Sequence, residues 1–203
     1  MKDVIYLRDA QTEAEVEAEI VTPVSEEAAL EWTKTWKPKI AAYLSDLQKR
    51  KIPVAEWPQD LNWNWEEILR KTRGMLAYDS MGILSDGILE GLMALNTTTK
   101  KCQLESQKGN DIVYIELLST APWNRKDMTD EVKLRGVGSI LVAAATKYSF
   151  EVEFKGRIGL HALPQSEAFY RKFPHLTEVG VDPDKKMIYF ESTPEEAKKF
   201  LHQ

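Results

Sequence analysis

The stretch LRGVGSILVAAATKYSF, residues 134–150, places two glycines directly before an unbroken apolar run. The chain has only 10 glycines in 203 residues, so the close spacing of Gly136 and Gly138 is informative. Glycine lets backbone approach a partner without an intervening Cβ atom. The apolar residues after Ser139 repeat at helical spacing. The pattern therefore predicts a tight turn that leads into a helix packed against a sheet.

The start of such a helix is suited to binding a phosphate. Its first N–H groups have no intrahelical acceptor, and the helix dipole is positive at that end. Four cationic side chains lie near the turn in sequence: Arg125, Lys126, Lys133 and Arg135. We therefore predict a diphosphate at this turn.

Two common nucleotide motifs do not fit this stretch. A dinucleotide fingerprint needs a third glycine where this chain has Leu141, and it opens a parallel βαβ unit. A P-loop needs Gly-Lys-Ser/Thr, which is missing here. Nicotinamide cofactors and nucleotide hydrolysis are thus disfavoured. An unrelated α/β fold in which the glycines form only a turn stays open as an alternative.

Composition narrows the class of protein. Apolar residues make up 43% and charged residues 29%, as in soluble globular proteins. No apolar run approaches the roughly 20 residues of a membrane-spanning helix, and no leader is evident, so we expect a cytoplasmic chain. The single cysteine, Cys102, is expected to be inert.

The charge is unevenly distributed along the chain. The net charge is −5, and residues 9–31 contain eight acidic side chains and no Lys or Arg. Such a block repels phosphate backbones, so we expect no nucleic-acid partner. It is typical of a solvated face, and alternatively it attracts cationic amines.

The first half of the chain reads as strand and helices. Residues 4–8 are a β-prone run. Residues 10–22 are ambiguous, because TEAEVEAEI alternates as in a strand whereas Thr12 and Glu15 form a capping-box signature for a helix. From Ser25 the apolar spacing predicts one long helix, or two short ones divided at Pro38. A further helix is predicted from about Asn64 to Gly74.

The second half alternates strands with helices. Three β-type runs, MLAYDS, GILEGLMALN and DIVYIELLSTA, are separated by predicted turns at residues 81–87 and 97–109. The glycine turn and its helix follow, then strand RIGLHAL, the short helix QSEAFYRKF, and strands LTEVGV and KMIYFE. A final helix is predicted from Thr193-Pro194. This order predicts an α/β sheet of mixed direction in a single domain.

From about residue 76 to 190 the chain resembles the GNAT superfamily of acyl-CoA-dependent N-acetyltransferases. The family hallmark, Gln/Arg-x-x-Gly-x-Gly/Ala, reads Lys133-Leu134-Arg135-Gly136-Val137-Gly138 here. Three neighbouring runs strengthen the resemblance: IELLSTAPWNR is similar to the family's fourth strand, GRIGLHAL to its fifth, and SEAFYRKF to its short helix with a Phe-Tyr pair. Lysine at the first hallmark position keeps the positive charge.

The resemblance implies a fold and a cosubstrate. The fold is a mixed, mostly antiparallel sheet flanked by helices and splayed between the family's fourth and fifth strands. Residues 1–75 would form a variable acceptor side, and residues 76–203 the acyl-CoA-binding core. Acetyl-CoA is the implied cosubstrate, no metal is expected, and dimers are common among relatives.

The resemblance also implies which residues bind the cosubstrate. Backbone amides of Leu118, Ser119 and Thr120 would bind the pantetheine arm. The diphosphate would be held around the glycine turn by Arg125, Lys133, Arg135, Gly136, Val137, Gly138, Ser139 and Ile140.

Acetyl transfer to an amine needs proton transfers. In this family a tyrosine of the helix after strand five often protonates the leaving thiolate, and Tyr170 occupies that place. The family's Gly-Phe after this helix is replaced by Phe173-Pro174-His175, so the helix end can differ. Glu116, at a position where some members carry a carboxylate, is the candidate base. Glu90 and His161 are rival bases.

We therefore predict an N-acetyltransferase that works by direct attack of a primary amine on acetyl-CoA, without an acyl-enzyme. The expected acceptor is a small cationic molecule or a protein amine, and a charged tRNA suits the acidic composition less well. The alternative is a catalytically silent CoA-binding or protein-interaction module with the same fold.

Overall fold

A computed structural model describes residues 2–202 as a mixed α/β structure. Its strands are β1 Lys2–Asp9, β2 Glu15–Val21, β3 Tyr78–Ser85, β4 Ile88–Asn96, β5 Val113–Thr120, β6 Leu134–Arg135, β7 Ile158–Ala162, β8 Thr177–Val181 and β9 Ile188–Glu191. Its α-helices are α1 Glu26–Lys49, α2 Trp65–Thr72, α3 Val137–Glu151, α4 Glu167–Tyr170 and α5 Pro194–Leu201.

The strands form one sheet in the order β6-β1-β2-β3-β4-β5-β7-β9-β8. β5 and β7 run parallel, whereas β1 with β2, β1 with β6, β2 with β3, β7 with β9 and β8 with β9 are antiparallel. The predicted mixed, mostly antiparallel sheet with flanking helices is confirmed.

The chain contains two compact units. The first holds Met1–Met75, Asp79–Met93 and Leu118–Leu141, and the second holds Leu76–Tyr78, Ala94–Leu117 and Val142–Gln203. A single domain over residues 1–203, with its acceptor side in residues 1–75, stays a prediction.

The ambiguity over residues 10–22 resolves as a strand. β2 pairs with β1 from Lys2 opposite Val21 to Arg8 opposite Glu15. Asp9 organises the turn between them, because its carboxylate accepts the N–H groups of Gln11 at 2.9 Å and Thr12 at 2.8 Å. The Thr12 hydroxyl also donates to Asp9, so it caps no helix.

Helix α1 is one long helix that continues through Pro38. The Ser25 hydroxyl caps it by accepting the Ala28 N–H at 3.2 Å. Trp32 and Trp36 are buried before the proline and Leu47 after it. Packing on both sides of Pro38 offsets the lost backbone hydrogen bond.

Two predicted boundaries are wrong. Residues 75–77 lie outside β3, and the expected turn at 81–87 is confined to Asp86-Gly87, because β3 runs on to Ser85. Gly82 pairs with Val21 of β2, and a Cβ on it would lie 3.3 Å from methyl groups of Val21 and Val24. It therefore serves packing rather than a turn.

In the second unit, strands β7, β9 and β8 pair with one another, and β7 also pairs with the start of β5. Leu160 of β7 and Phe190 of β9 are paired residues and are buried. Buried Glu191 anchors the loop before β5 by accepting the Gln103 N–H at 2.6 Å and the Gln107 side-chain amide at 2.6 Å. Helix α5 starts with the capping box of Thr193. Glu191 thus ties the loop before β5 to the end of β9.

Candidate functional site

The glycine turn has the predicted geometry. β6 pairs with the end of β1, and Gly136 follows it with φ +92°, a value in the left-handed region that favours glycine. Nothing lies within 4 Å of a Cβ built on Gly136. The first bond of α3 runs from the Ile140 N–H to the Gly136 carbonyl at 2.9 Å. The N–H groups of residues 137–139 therefore have no acceptor within the helix.

A third glycine, which the sequence reading did not identify, seats this turn against the sheet. A Cβ on Gly91 of β4 would lie 2.7 Å from Val137 Cγ1 and 3.1 Å from Leu141 Cδ1. Val137 and Leu141 are both buried. Hence the start of α3 approaches β4 so closely that a side chain at position 91 would force a shift.

The cations predicted to hold the diphosphate each have a carboxylate partner. Arg125 pairs with Asp60 and Asp127, and its side chain is only 14% exposed. Burial disfavours its charge, yet the two carboxylates hold the pKa of Arg125 above its ordinary value. Arg125 is thus bound into the structure by its own ion pairs.

The two cations nearer the turn are more available. Lys133 Nζ lies 3.3 Å from Glu90 Oε1 and its side chain is 49% exposed. Arg135 pairs with Glu13, and its side chain is 53% exposed. The Arg135 pair is exposed on both sides and contributes little free energy, so Arg135 can turn towards an anionic ligand at small cost. Lys133 has the buried Glu90 as its partner, so it stays beside that carboxylate and contributes its charge from there.

Glu90, one of the rival bases, is fully buried and anchors the segment that leads to the turn. Its carboxylate accepts from Trp123 Nε1 at 2.6 Å and from Asn124 Nδ2 at 2.7 Å, besides Lys133. The Asn124 Oδ1 in turn accepts the Leu134 N–H at 2.9 Å. A buried carboxylate with three donors has the features of a structural group.

Strand β5 supplies the segment predicted to bind the pantetheine arm. Its parallel pairing with β7 covers Val113, Tyr114 and Ile115 only, although β5 continues to Thr120. The pairing thus ends at Ile115, three residues before Leu118. Beyond that point Ser119 is buried, and Leu118 and Thr120 are half-buried. The predicted splay between the two strands stays a prediction.

Glu116, the candidate base, is half-buried on β5. Burial raises the pKa of its carboxyl above the ordinary value, whereas Lys185 and Lys100 act in the opposite direction. A raised pKa makes the carboxylate a stronger proton acceptor than an exposed glutamate.

A hydrogen-bonded chain lies beside Glu116 on the same face of β5. The Tyr114 hydroxyl is 2.7 Å from His161 Nδ1, and His161 Nε2 is 2.9 Å from Asp182 Oδ2. Lys185 Nζ donates to the Tyr114 hydroxyl at 2.9 Å. The sequence reading named only His161, as a rival base. Tyr114 lies on β5, whereas Asp182 and Lys185 share the turn between β8 and β9, and no local motif links Tyr114 to that turn.

Tyr170, the candidate acid, ends the four-residue helix α4. Only 7% of the residue is exposed, and its ring contacts Phe169 and Phe190 with centroid distances of 5.1 and 6.1 Å. Burial raises its pKa, so the hydroxyl keeps its proton throughout the neutral range. Cys102 is also buried, which raises its pKa to about 12 and leaves an unreactive thiol.

Comparisons with known proteins place the fold. No family profile matches the chain, and no curated protein sequence matches it. Among solved structures, the PaiA N-acetyltransferase of Thermoplasma acidophilum, determined in complex with coenzyme A, is 13% identical; the match covers 86% of this chain and 98% of that one, with a TM-score of 0.52. The chain has the GNAT fold.

Two other solved structures show the same likeness. An uncharacterised protein from Bacillus halodurans is 11% identical over 98% of this chain and 94% of that one, with a TM-score of 0.59. A bacterial toxin is 13% identical over 74% and 83%, with a TM-score of 0.50. The alternative that the glycine turn belongs to an unrelated α/β fold is therefore wrong.

Within this GNAT fold the predicted residues divide by role. All those predicted to bind the cosubstrate, from Leu118 to Ile140, belong to the first unit. Both predicted catalytic residues, Glu116 and Tyr170, belong to the second. Over residues 2–202, no helix has the length and apolarity to cross a membrane. The same residues contain no group of three or more His, Cys, Asp or Glu arranged to hold a metal ion.

Proposed function

We propose that this chain is an acyl-CoA-dependent N-acetyltransferase that transfers the acetyl group of acetyl-CoA directly to a primary amine. One observation carries the proposal: a GNAT fold in which α3 begins, behind the open Gly136, with first-turn amides suited to a diphosphate.

Binding of the cosubstrate is assigned to two backbone segments. The backbone amides of residues 137–139, just before Ile140, bind the diphosphate. Lys133 and Arg135 add positive charge. The amides of Leu118 to Thr120, beyond the end of the β5 and β7 pairing, receive the pantetheine arm. Arg125 supports this region through Asp60 and Asp127 instead of reaching the ligand directly.

The reaction is a displacement at the thioester carbonyl carbon. The amine, once it has lost a proton to Glu116, attacks that carbon and forms a C–N bond. The C–S bond then breaks, and the sulfur takes a proton, which is assigned to Tyr170. The nitrogen gives up its remaining extra proton to the Tyr170 oxygen, directly or through solvent, which leaves a neutral amide and restores the hydroxyl. The products are an acetamide and free coenzyme A, and no acyl-enzyme forms.

The environments of both groups support these roles. The raised pKa of Glu116 brings its affinity for a proton closer to that of an amine. A buried phenolate at Tyr170 is disfavoured, so the hydroxyl must regain a proton as it gives one up. Proton delivery is therefore expected to be concerted with breaking of the C–S bond.

The acceptor is proposed to be a cationic amine, either a small molecule or an amine of a protein. The acidic block supports this class, because Glu15 and Glu17 on β2 and Glu26 and Glu27 at the start of α1 are exposed. Such a surface raises the local concentration of cations and lowers that of phosphate backbones.

The test is an assay of thiol release from acetyl-CoA with a panel of polyamines, amino acids and lysine-containing peptides. Turnover that depends on the amine, and that falls in a Tyr170→Phe variant with intact coenzyme A binding, is the expected result. Tight binding of coenzyme A with no turnover for any amine would instead identify a catalytically silent CoA-binding module.

A further inference from the structure

The Lys185, Tyr114, His161 and Asp182 side chains form a chain whose hydrogen bonds can all run in one direction. The Lys185 ammonium has only donors, so the Tyr114 oxygen accepts at 2.9 Å. The Tyr114 hydroxyl proton is then directed at His161 Nδ1, 2.7 Å away. His161 Nε2 donates to Asp182 Oδ2 at 2.9 Å. This arrangement selects the neutral His161 tautomer with its proton on Nε2.

The far end of the chain is fixed by the backbone. The second oxygen of Asp182 accepts the N–H groups of Asp184 at 2.8 Å and Lys185 at 2.9 Å. Asp182 thus shapes the turn from which the Lys185 side chain extends, and it also orients His161. The turn therefore fixes the Lys185 backbone, and the Tyr114 hydroxyl holds its ammonium.

The near end of the chain lies next to Glu116. Tyr114 and Glu116 are two residues apart on β5, so their side chains point to the same face of the sheet. Lys185 also lies 5.1 Å above the Tyr114 ring, and Lys100 lies 5.9 Å from it on the loop before β5. These two lysines are the cations that act on the Glu116 carboxylate, and Lys185 acts the more strongly.

We propose that Lys185, held by Tyr114, His161 and Asp182, is a positioning residue that keeps the half-buried Glu116 carboxylate in its proton-accepting form. The inference rests on the proposed role of Glu116 as the base. Burial alone favours the protonated carboxylic acid, which cannot accept a proton from the amine. A fixed ammonium beside it opposes this effect, whereas a lysine free in solvent would be screened.

The primary test measures the carboxyl group itself and needs no turnover. Protein labelled with [δ-13C]glutamate is titrated by NMR, and Glu116→Gln assigns the resonance. In Lys185→Met the Glu116 titration is expected to move to higher pH, and Tyr114→Phe is expected to move it in the same direction by less. Lys185→Arg keeps the charge and restores the parent midpoint. Lys186→Met removes the same charge from the neighbouring position and leaves the midpoint unchanged.

Kinetics provide the second readout. The acid limb of kcat/KM should move to higher pH in Lys185→Met and stay in place in Lys186→Met. A Glu116 midpoint that is the same in Lys185→Met and the parent overturns this inference, even if the parent enzyme acetylates amines. Retention of the acid limb in Glu116→Gln also overturns it. If the parent turns over no amine, the proposed function fails separately, and the NMR midpoints still decide the link between Lys185 and Glu116.

Discussion

The seating of α3 on Gly91 yields a quantitative prediction. In Gly91→Ala the new Cβ lies 2.7 Å from Val137 Cγ1, whereas carbon atoms in contact prefer about 3.5–4.0 Å, so a shift of about 1 Å is required. Overpacking of this kind costs about 1–3 kcal/mol of unfolding free energy. Because Val137 belongs to the first turn of α3, the same shift displaces the amides proposed to bind the diphosphate.

Two measurements follow from this displacement. Urea unfolding should show the lost stability. Isothermal titration with coenzyme A should show roughly tenfold weaker binding, equal to about 1.4 kcal/mol, which is within the value of one hydrogen bond to a charged group.

A second substitution should relieve the clash. Val137→Ala alone removes two methyl groups and costs about 2 kcal/mol. In the double variant with Gly91→Ala, the Cγ1 atom that the new Cβ would contact is gone. The double variant should therefore lose about 1 kcal/mol less unfolding free energy than the sum of the two single losses. Affinity for coenzyme A should recover partly in the double variant.

A matched control separates stability from binding. Gly159→Ala places a Cβ 2.8 Å from Ile112 Cδ1 and closer still to the Tyr189 hydroxyl, and it overpacks the second unit instead of the start of α3. It should lower stability and leave coenzyme A affinity unchanged. If Gly91→Ala binds coenzyme A as tightly as the parent, or if Val137→Ala gives no relief, the proposed role of this helix start is refuted.

Three further predictions concern proton transfer, phosphate binding and pH. Tyr170→Phe should lower kcat by about 100-fold or more, and titration should show an unchanged affinity for coenzyme A. If kcat is unchanged, Tyr170 is not the acid. Glu13→Gln should release Arg135 and tighten coenzyme A binding by up to about fivefold at low salt. The control Glu17→Gln removes the same charge and should leave the affinity unchanged. If both variants change the affinity equally, Arg135 does not contact the phosphate. Burial lowers the pKa of His175 to about 4 from 6.5, so the folded state binds fewer protons between these values and stability must fall as pH falls through this window. The loss, about 3 kcal/mol by pH 4 in denaturant titrations, should be absent in His175→Phe, and a parallel slope in that variant would exclude His175 as its source.

Local sequence signals predicted the pieces of this fold well, because they depend on contacts within a few residues. The caps at Ser25, Asn64 and Thr193 all accept a backbone N–H three residues later, as their positions predicted. The glycine turn before α3 was equally readable, since a left-handed residue before an apolar helix needs no distant partner. The resemblance to GNAT proteins extended these pieces to a mixed, mostly antiparallel sheet flanked by helices.

Where local signals conflicted, pairing between distant segments decided. Thr12 and Glu15 suggested a helix, but β2 forms hydrogen-bond ladders with β1 and β3, which a helix cannot do. The cluster at residues 81–87 suggested a turn, but β3 continues to Ser85 and pairs with β2 from Gly82 to Leu84. In both cases packing outweighs a weak local preference.

The sequence by itself determined the helix caps, the glycine turn and the identity of the candidate residues Glu116 and Tyr170, because these follow from neighbouring residues and a recognisable motif. Only the tertiary structure decided that Arg125 is held by Asp60 and Asp127, that Glu90 is an anchor with three donors, and that Lys185 reaches Tyr114. The physical reason is that a charge or hydrogen bond acts over a few ångströms of space, whatever the separation along the chain.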